Sequence, residues 1–447
     1  MQKWVFRYLM AFLGVATYCS GPITVFSQAK ASIIKPIKKS EKLFFPSLVD
    51  KLYRARNGRQ LWFNNGVEAQ ELRNLLMDRL DQAQYSGLIY RDYKRNIPKD
   101  RFMTISQLKD SSYCAEMDRS FTDAVLAYSL DLYNGGDTRD LILYDEISNQ
   151  CAQRDKEFVL EGISRVNTAL ELERFLTTLE PTGEEYLSLK EELRDKWDSI
   201  SNYRRRAIST ALRMYRWTRH FQFPKWVEVN IPEARLRYYE NNQLVLQMKV
   251  VVGKPKTRTP RFVAHCNHII LYPYWNVPKS IAIKEYLPKI KRNPHLIDEM
   301  NMQLIEETGR RVNHLKLDWS LYGRENFPFI LRQSTGCDNS LGVIKFDLTS
   351  PFSVYLHDTN FKQAFKSGDR FLSHGCIRLE LPFELAEKFI PDCIDSGFLR
   401  SCLKGQLPVE LNVQNPVPVF VLYRTVVVGD GEKIGYLRDI YGLQKSK

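Results

Sequence analysis

Ser373-His374-Gly375-Cys376-Ile377-Arg378 is the stretch on which the reading of this chain turns. A cysteine set against glycine, with serine, histidine and arginine alongside, concentrates reactive chemistry in one short run. The thiolate is the nucleophilic form of cysteine, so a reactive thiol needs a base nearby and positive surroundings. A base is on offer upstream, in Tyr355-Leu356-His357-Asp358-Thr359, with fifteen residues between His357 and Ser373. That interval has room for a strand, a loop and a return. Gly375 can adopt backbone angles barred to other residues and lets a substrate approach closely. It can also help turn amide N–H groups toward a developing oxyanion. Arg378 stands two residues beyond Cys376, and an extended backbone sends both side chains to one face. There it can hold a substrate carboxylate bidentately or favour the thiolate, the blander alternative being a surface salt bridge. Taken by themselves, these residues argue for acyl transfer through a thioester.

At 447 residues the chain has room for two or three domains, each with its own core, and 44% hydrophobic composition argues against wholesale disorder. The net charge of +13 suits an anionic partner: nucleic acid, a membrane surface or an acidic wall polymer. The N-terminus narrows that choice. Lys3 and Arg7 precede an apolar stretch from Tyr8 to about Tyr18, then Gly21-Pro22 and a small-residue exit at Ser27-Gln28-Ala29. This is the layout of a secretory signal, expected over residues 1–29, and the apolar run falls short of the roughly 20 residues of a membrane span. The protein is therefore expected to be exported to the periplasm or cell envelope, anchored in the membrane if the signal stays uncleaved. Nucleic acid drops out as a partner. Tyr18 is too bulky for the lipoprotein reading that Cys19 invites. Of eight cysteines, Cys19 is expected to leave with the signal, and the odd seven that remain leave at least one unpaired. Cys376 is the natural candidate. For the other six, free buried thiols are the expected state, although spacing leaves disulfides open.

Beyond a lysine-rich linker over 30–46, periodicity divides the chain in two. Leu72, Leu75, Leu76, Leu80 and Ala83 recur at helical spacing before Gly87, as do Phe121, Val125, Tyr128 and Leu132 before Gly135-Gly136. Further amphipathic runs are expected over roughly 155–176 and 184–218. Residues 47–220 thus form a helical domain. From Trp226 the pattern alternates, with strands expected at 226–231, 236–238, 244–252 after Asn241-Asn242, 268–272, 329–332, 342–346, 353–357 and 417–428. A helix is expected from Pro382 through Phe389. His265-Cys266-Asn267-His268 has a metal-like composition, but strand residues three apart face opposite sides, so no metal is assigned.

The motif and its upstream histidine resemble the L,D-transpeptidase (YkuD-like) catalytic domain. Trp275-Asn276-Val277-Pro278, Arg332-Gln333 before Asn339-Ser340-Leu341-Gly342, and Leu356-His357-Asp358-Thr359 extend the resemblance over roughly 226–442. Leu48–Trp62 and Asp118–Gly135 resemble the helical scaffold of the long, multidomain members. The resemblance implies an α+β protein: a helical N-terminal scaffold followed by a mainly β catalytic domain, a β-sandwich, over 221–445. It also implies a capping subdomain over about 278–326. Cys376 is then the nucleophile and His357 the base, with Ser373, His374, Gly375, Arg378 and Trp275 as oxyanion or substrate-binding groups. The third position is often a backbone carbonyl, so the Asp358 side chain is not assigned that role. The implied substrate is a peptidoglycan tetrapeptide stem, cleaved before its terminal D-Ala and joined to a neighbouring stem in a 3→3 cross-link, with no cofactor. Carbapenems should acylate the same thiol, and cell-wall synthesis proteins are expected partners. A cysteine hydrolase using water on the same residues, or an inert wall-binding scaffold, would each be compatible with the residues alone.

Overall fold

A computed structural model of the chain describes residues 43–444 apart from 65, 99–103, 430 and 432. The expected signal and linker residues 30–42 lie outside the described residues. Residues 43–46, expected as the end of the linker, instead belong to the scaffold. The amides of Phe44 and Phe45 donate to the Asp123 carboxylate at 2.7 and 2.8 Å, and Pro46 opens the helix Pro46–Ala55. A buried carboxylate needs donors, and these two amides supply them.

The scaffold is built round the helix Ser111–Asn134, most of whose residues are buried and which ends at Gly135 in the left-handed conformation (φ 76°). The helices Val67–Asp81, Ser148–Ser164 and Ala169–Thr178 pack against it or against one another through one apolar core. The run expected over 155–176 is two helices. The Thr168 side chain accepts from the Glu171 amide and Glu171 reaches back to the Thr168 amide, a capping box that restarts the helix. The run over 184–218 likewise divides into Glu184–Asp195 and Asn202–Arg219, the second capped by Ser201. Asp118 pins the first loop to the central helix. Fully buried, it accepts from the amides of Leu61, Trp62 and Phe63 and from the Tyr53 hydroxyl. Asp118→Ala would leave these donors buried without an acceptor, and we expect about 3 kcal/mol less scaffold stability, read by urea denaturation.

The catalytic domain begins with the meander Lys225–Asn230, Arg235–Glu240 and Gln243–Gly253. Asn241 and Asn242 turn its second hairpin at φ 48° and 65°, the positive angles a tight hairpin turn needs. The strand Phe262–Leu271 pairs on one side with Ile344–Leu348 and on the other with Val409–Leu422, which itself pairs with Lys225–Asn230. Strand pairing therefore runs back to its start, and the sandwich encloses a core including Val229, Leu236, Val250, Phe346 and Ile377. The helix Pro382–Phe389 packs onto that core. Scaffold and sandwich share a further apolar cluster of Met214, Trp217, Phe221, Val263 and Phe420. Beside it Arg424 pairs with Glu228, both buried, under the Tyr215 ring.

The cap extends past its expected limits. Its core runs from Val277 to Leu331, and its sheet orders Trp275–Asn276, Ile330–Gln333, Met302–Ile305 and Arg311–Val312. The flanking strands hem the insertion on both sides. The expectation of free thiols fails for one pair: Cys337 and Cys402, 65 residues apart, form a disulfide that ties the loop after the cap to the segment after Pro382–Phe389. Cys114, Cys151, Cys266, Cys376 and Cys393 are free. In the metal-like run, His265 turns to Glu146 at 3.4 Å while Cys266 lies in the sandwich core.

Candidate active site

Two short parallel strands assemble the reactive groups. Leu356–His357 pairs with Ile377–Leu379 in the register Leu356↔Ile377 and His357↔Arg378, and the Ile377 amide donates to the Tyr355 carbonyl at 3.1 Å. Residues opposite one another across a ladder share a face, and every second residue returns to it. Leu356, Ile377 and Leu379 therefore enter the core, each fully buried. Tyr355, His357, Cys376 and Arg378 share the other face. Period-two alternation along each strand thus brings the cysteine motif to its upstream histidine.

The base is held in a single tautomer. His357 Nδ1 bonds to the Asp358 backbone carbonyl, which can only accept, so Nδ1 carries the proton and Nε2 presents its lone pair. The Asp358 carboxylate has other work: it accepts from the Val343 amide at 3.0 Å and pairs with Lys362. Gly342 makes room for it, since a Cβ there would lie 2.1 Å from the carboxylate oxygen. Burial, then the nearby Arg378 guanidinium, pushes the conjugate acid of His357 down to about 3. Burial also raises the Cys376 thiol, against opposing hydrogen bonds from the Tyr355 amide and side chain and the charges of Lys345 and Arg378. The resting site is accordingly a neutral thiol beside a neutral imidazole. The charges of Lys345 and Arg378 favour the thiolate form of Cys376.

The Tyr355 ring meets His357 edge-on, centroids 5.6 Å apart, with Lys345 Nζ 4.6 Å over it, while Cys376 Sγ faces the Ser353 carbonyl at 3.8 Å. Sequence reasoning quoted Tyr355 but gave it no role, although it lies two residues before His357 and the same alternation places it on the reactive face. Trp275 is half-buried and meets Tyr286 of the cap edge-on, ring centroids 6.2 Å apart.

Gly375 has φ 126°, open only to glycine, but its amide donates to Ser373 Oγ at 3.1 Å. Ser373 Oγ in turn donates to the Cys376 carbonyl at 2.6 Å. Ser373 and Gly375 therefore shape the loop, and the Gly375 amide is not free to meet an oxyanion. Among the described residues, the amides of His374 and Cys376 have no acceptor, which leaves them as donors to one. Thr259, buried, holds the loop from behind by donating to the Gly375 carbonyl at 2.8 Å. Arg378 is half-buried and makes no ion pair among the described residues, and its Nε has no acceptor. An unpaired guanidinium beside the nucleophile calls for an anion. His374 Nε2 lies 2.7 Å from a carboxylate oxygen of Glu285 on the cap.

The family model of the L,D-transpeptidase catalytic domain matches residues 224–399, and that of the scaffold domain matches residues 47–193. Residues 224–399 thus carry the catalytic domain of the L,D-transpeptidase family. Members of this family work through a cysteine nucleophile. A Haemophilus influenzae protein described as a putative L,D-transpeptidase is 27% identical over 412 residues, 90% of this chain and 79% of its own length. An L,D-transpeptidase from Mycobacterium smegmatis aligns at 14% identity over 44% of this chain and 58% of its own, less than two thirds, with a TM-score of 0.22. The catalytic domain of an Enterococcus faecium L,D-transpeptidase aligns at 15% identity over 44% of this chain and 96% of its own, with a TM-score of 0.19. At such TM-scores these two likenesses add nothing to the L,D-transpeptidase assignment, which rests on the domain models and the curated relative.

Proposed function

We propose that this chain is an exported peptidoglycan L,D-transpeptidase that joins stem peptides by 3→3 cross-links. The carrying observation is the shared face of Tyr355, His357, Cys376 and Arg378, beside two unengaged backbone amides. Cys376 attacks the carbonyl that precedes the terminal D-Ala of a tetrapeptide stem as Nε2 of His357 takes the thiol proton. The amides of Cys376 and His374 receive the oxyanion, and His357 returns the proton to the departing amine of D-Ala. A thioester remains, and an amine on a neighbouring stem resolves it. Arg378 receives a donor carboxylate. We expect Arg378→Gln to raise the donor KM about tenfold or more, because a hydrogen-bonded charge pair is worth roughly 1.5–3 kcal/mol. Arg378→Lys should restore little, since a point charge cannot form two parallel bonds. Steady-state D-Ala release measures both. The Cys337–Cys402 disulfide supports export, because such bonds persist in oxidising compartments. Incubation with a carbapenem tests the acylation half: a stoichiometric adduct on Cys376 is expected, and an unmodified thiol would count against the proposal. Product analysis with and without an acceptor amine separates transfer from hydrolysis.

A further inference from the structure

The groups already described serve the first half of that reaction better than the second. The charged side chains that bear on His357 and Cys376 are cations: Lys345, Arg378 and Lys362. They favour a thiolate and a donor carboxylate, but they repel an acceptor that arrives as an ammonium. Two acids close by are already occupied. Asp347 bonds Lys345 at 2.6 Å, and Asp358 holds Lys362 and the Val343 amide.

Glu285 is different. It is exposed on the cap, touches the cysteine motif through His374 at 2.7 Å, and has no lysine or arginine partner among the described residues. The backbone that carries it is also unusual. Within the helical stretch Lys279–Arg292, Ala282–Tyr286 forms a π-helical turn. Such turns are rare, and they cluster at functional sites. This one turns two neighbouring side chains to different partners. Glu285 reaches His374, two residues before Cys376. Tyr286 meets Trp275, at the edge of the cap's sheet, with ring centroids 6.2 Å apart.

We propose that Glu285, paired with His374, forms the subsite that captures the acceptor as a primary ammonium and takes its proton. The proposal rests on the transpeptidase reading above. In the step, the ammonium gives one proton to the Glu285–His374 pair. The freed lone pair attacks the thioester carbonyl carbon, the C–N bond forms and the C–S bond breaks. Cys376 departs as thiolate and, through His357, receives the second proton, lost as amine becomes amide. The first proton returns to solvent. The two histidines of the site thereby divide the work, His357 on the thiol and His374 on the acceptor.

The test starts from a thioester loaded with a tetrapeptide stem whose side-chain amine is acetylated, so that the donor cannot act as acceptor. This acyl-enzyme is challenged with rising concentrations of a tripeptide stem bearing a free amine, and cross-linked and hydrolysed products are counted by mass spectrometry. Both products come from the same thioester, so their ratio is independent of how fast it formed. Glu285→Gln is expected to lower the ratio at least tenfold and raise the half-saturating acceptor concentration. Glu285→Asp, which keeps the charge, should recover part of the loss. A residue that merely holds the cap would alter loading and leave the ratio alone. A ratio within twofold of the unsubstituted enzyme in Glu285→Gln overturns the proposal. An unsubstituted enzyme that forms no thioester contradicts the transpeptidase reading instead.

Discussion

Cys376→Ser is expected to remove turnover altogether, a loss of at least about 10⁴-fold in D-Ala release, while leaving the fold intact. A hydroxyl fills nearly the same space as the thiol, and Cys376 lies outside the sandwich's apolar core. The chemistry is less forgiving. A serine hydroxyl is a far weaker acid than a thiol, and the base on its face is an imidazole whose conjugate acid is held down at about 3. So weak a base can assist an acidic thiol, helped by Lys345 and Arg378 as charge builds. It cannot ionise an alcohol. Unchanged thermal unfolding together with abolished acylation is the expected pair of results, and residual turnover above a hundredth would mean that another group carries the reaction.

His357→Gln carries the second large effect, expected as a 10²–10⁴-fold slower acylation of Cys376, the usual worth of a positioned general base. It also makes a prediction about pH that needs no substrate. In the unfolded chain a histidine binds its proton near 6.5, whereas folded His357 binds it only near 3. Between those values the unfolded state holds the extra proton. Stability from this group is complete above 6.5 and is lost as pH falls toward 3, to an extent on the order of a few kcal/mol. Glutamine does not titrate, so His357→Gln should flatten the fall in Tm between pH 6.5 and 4 relative to the unsubstituted protein. Activity follows the same logic: acylation should show no acid limb near 6.5. A limb centred there would mean that His357 is not the buried, neutral base described.

The large-scale reading of the sequence succeeded where the information is local or periodic. The six-residue motif sets its cysteine among serine, histidine, glycine and arginine without reference to distant chain, and the change from helical to alternating spacing at Trp226 separates scaffold from sandwich. Two helix breaks carry a local signal: Thr168 with Glu171, and Ser201, are capping residues in the midst of continuous amphipathic patterns. The rest depends on which strands meet. Tyr355 acquires its role only from the parallel register that sets Leu356 against Ile377. The Gly375 amide is claimed by a serine hydroxyl two residues away, a choice that rests on loop geometry rather than residue type. Cys337 and Cys402 look like any other spaced thiols until their loops are brought together. Glu285 carries no signature at all, because a π-helical turn has none in composition.

The central claim is that Cys376 carries an acyl group between two stem peptides, and intact-mass analysis tests it directly. The protein, mixed with a tetrapeptide muropeptide, should gain the mass of the stem less D-Ala, localised by digestion to Cys376, and then return to its free mass as a 3→3 dimer appears. A folded protein that gains no mass on Cys376, or that loses D-Ala from the stem without passing through that adduct, would contradict it.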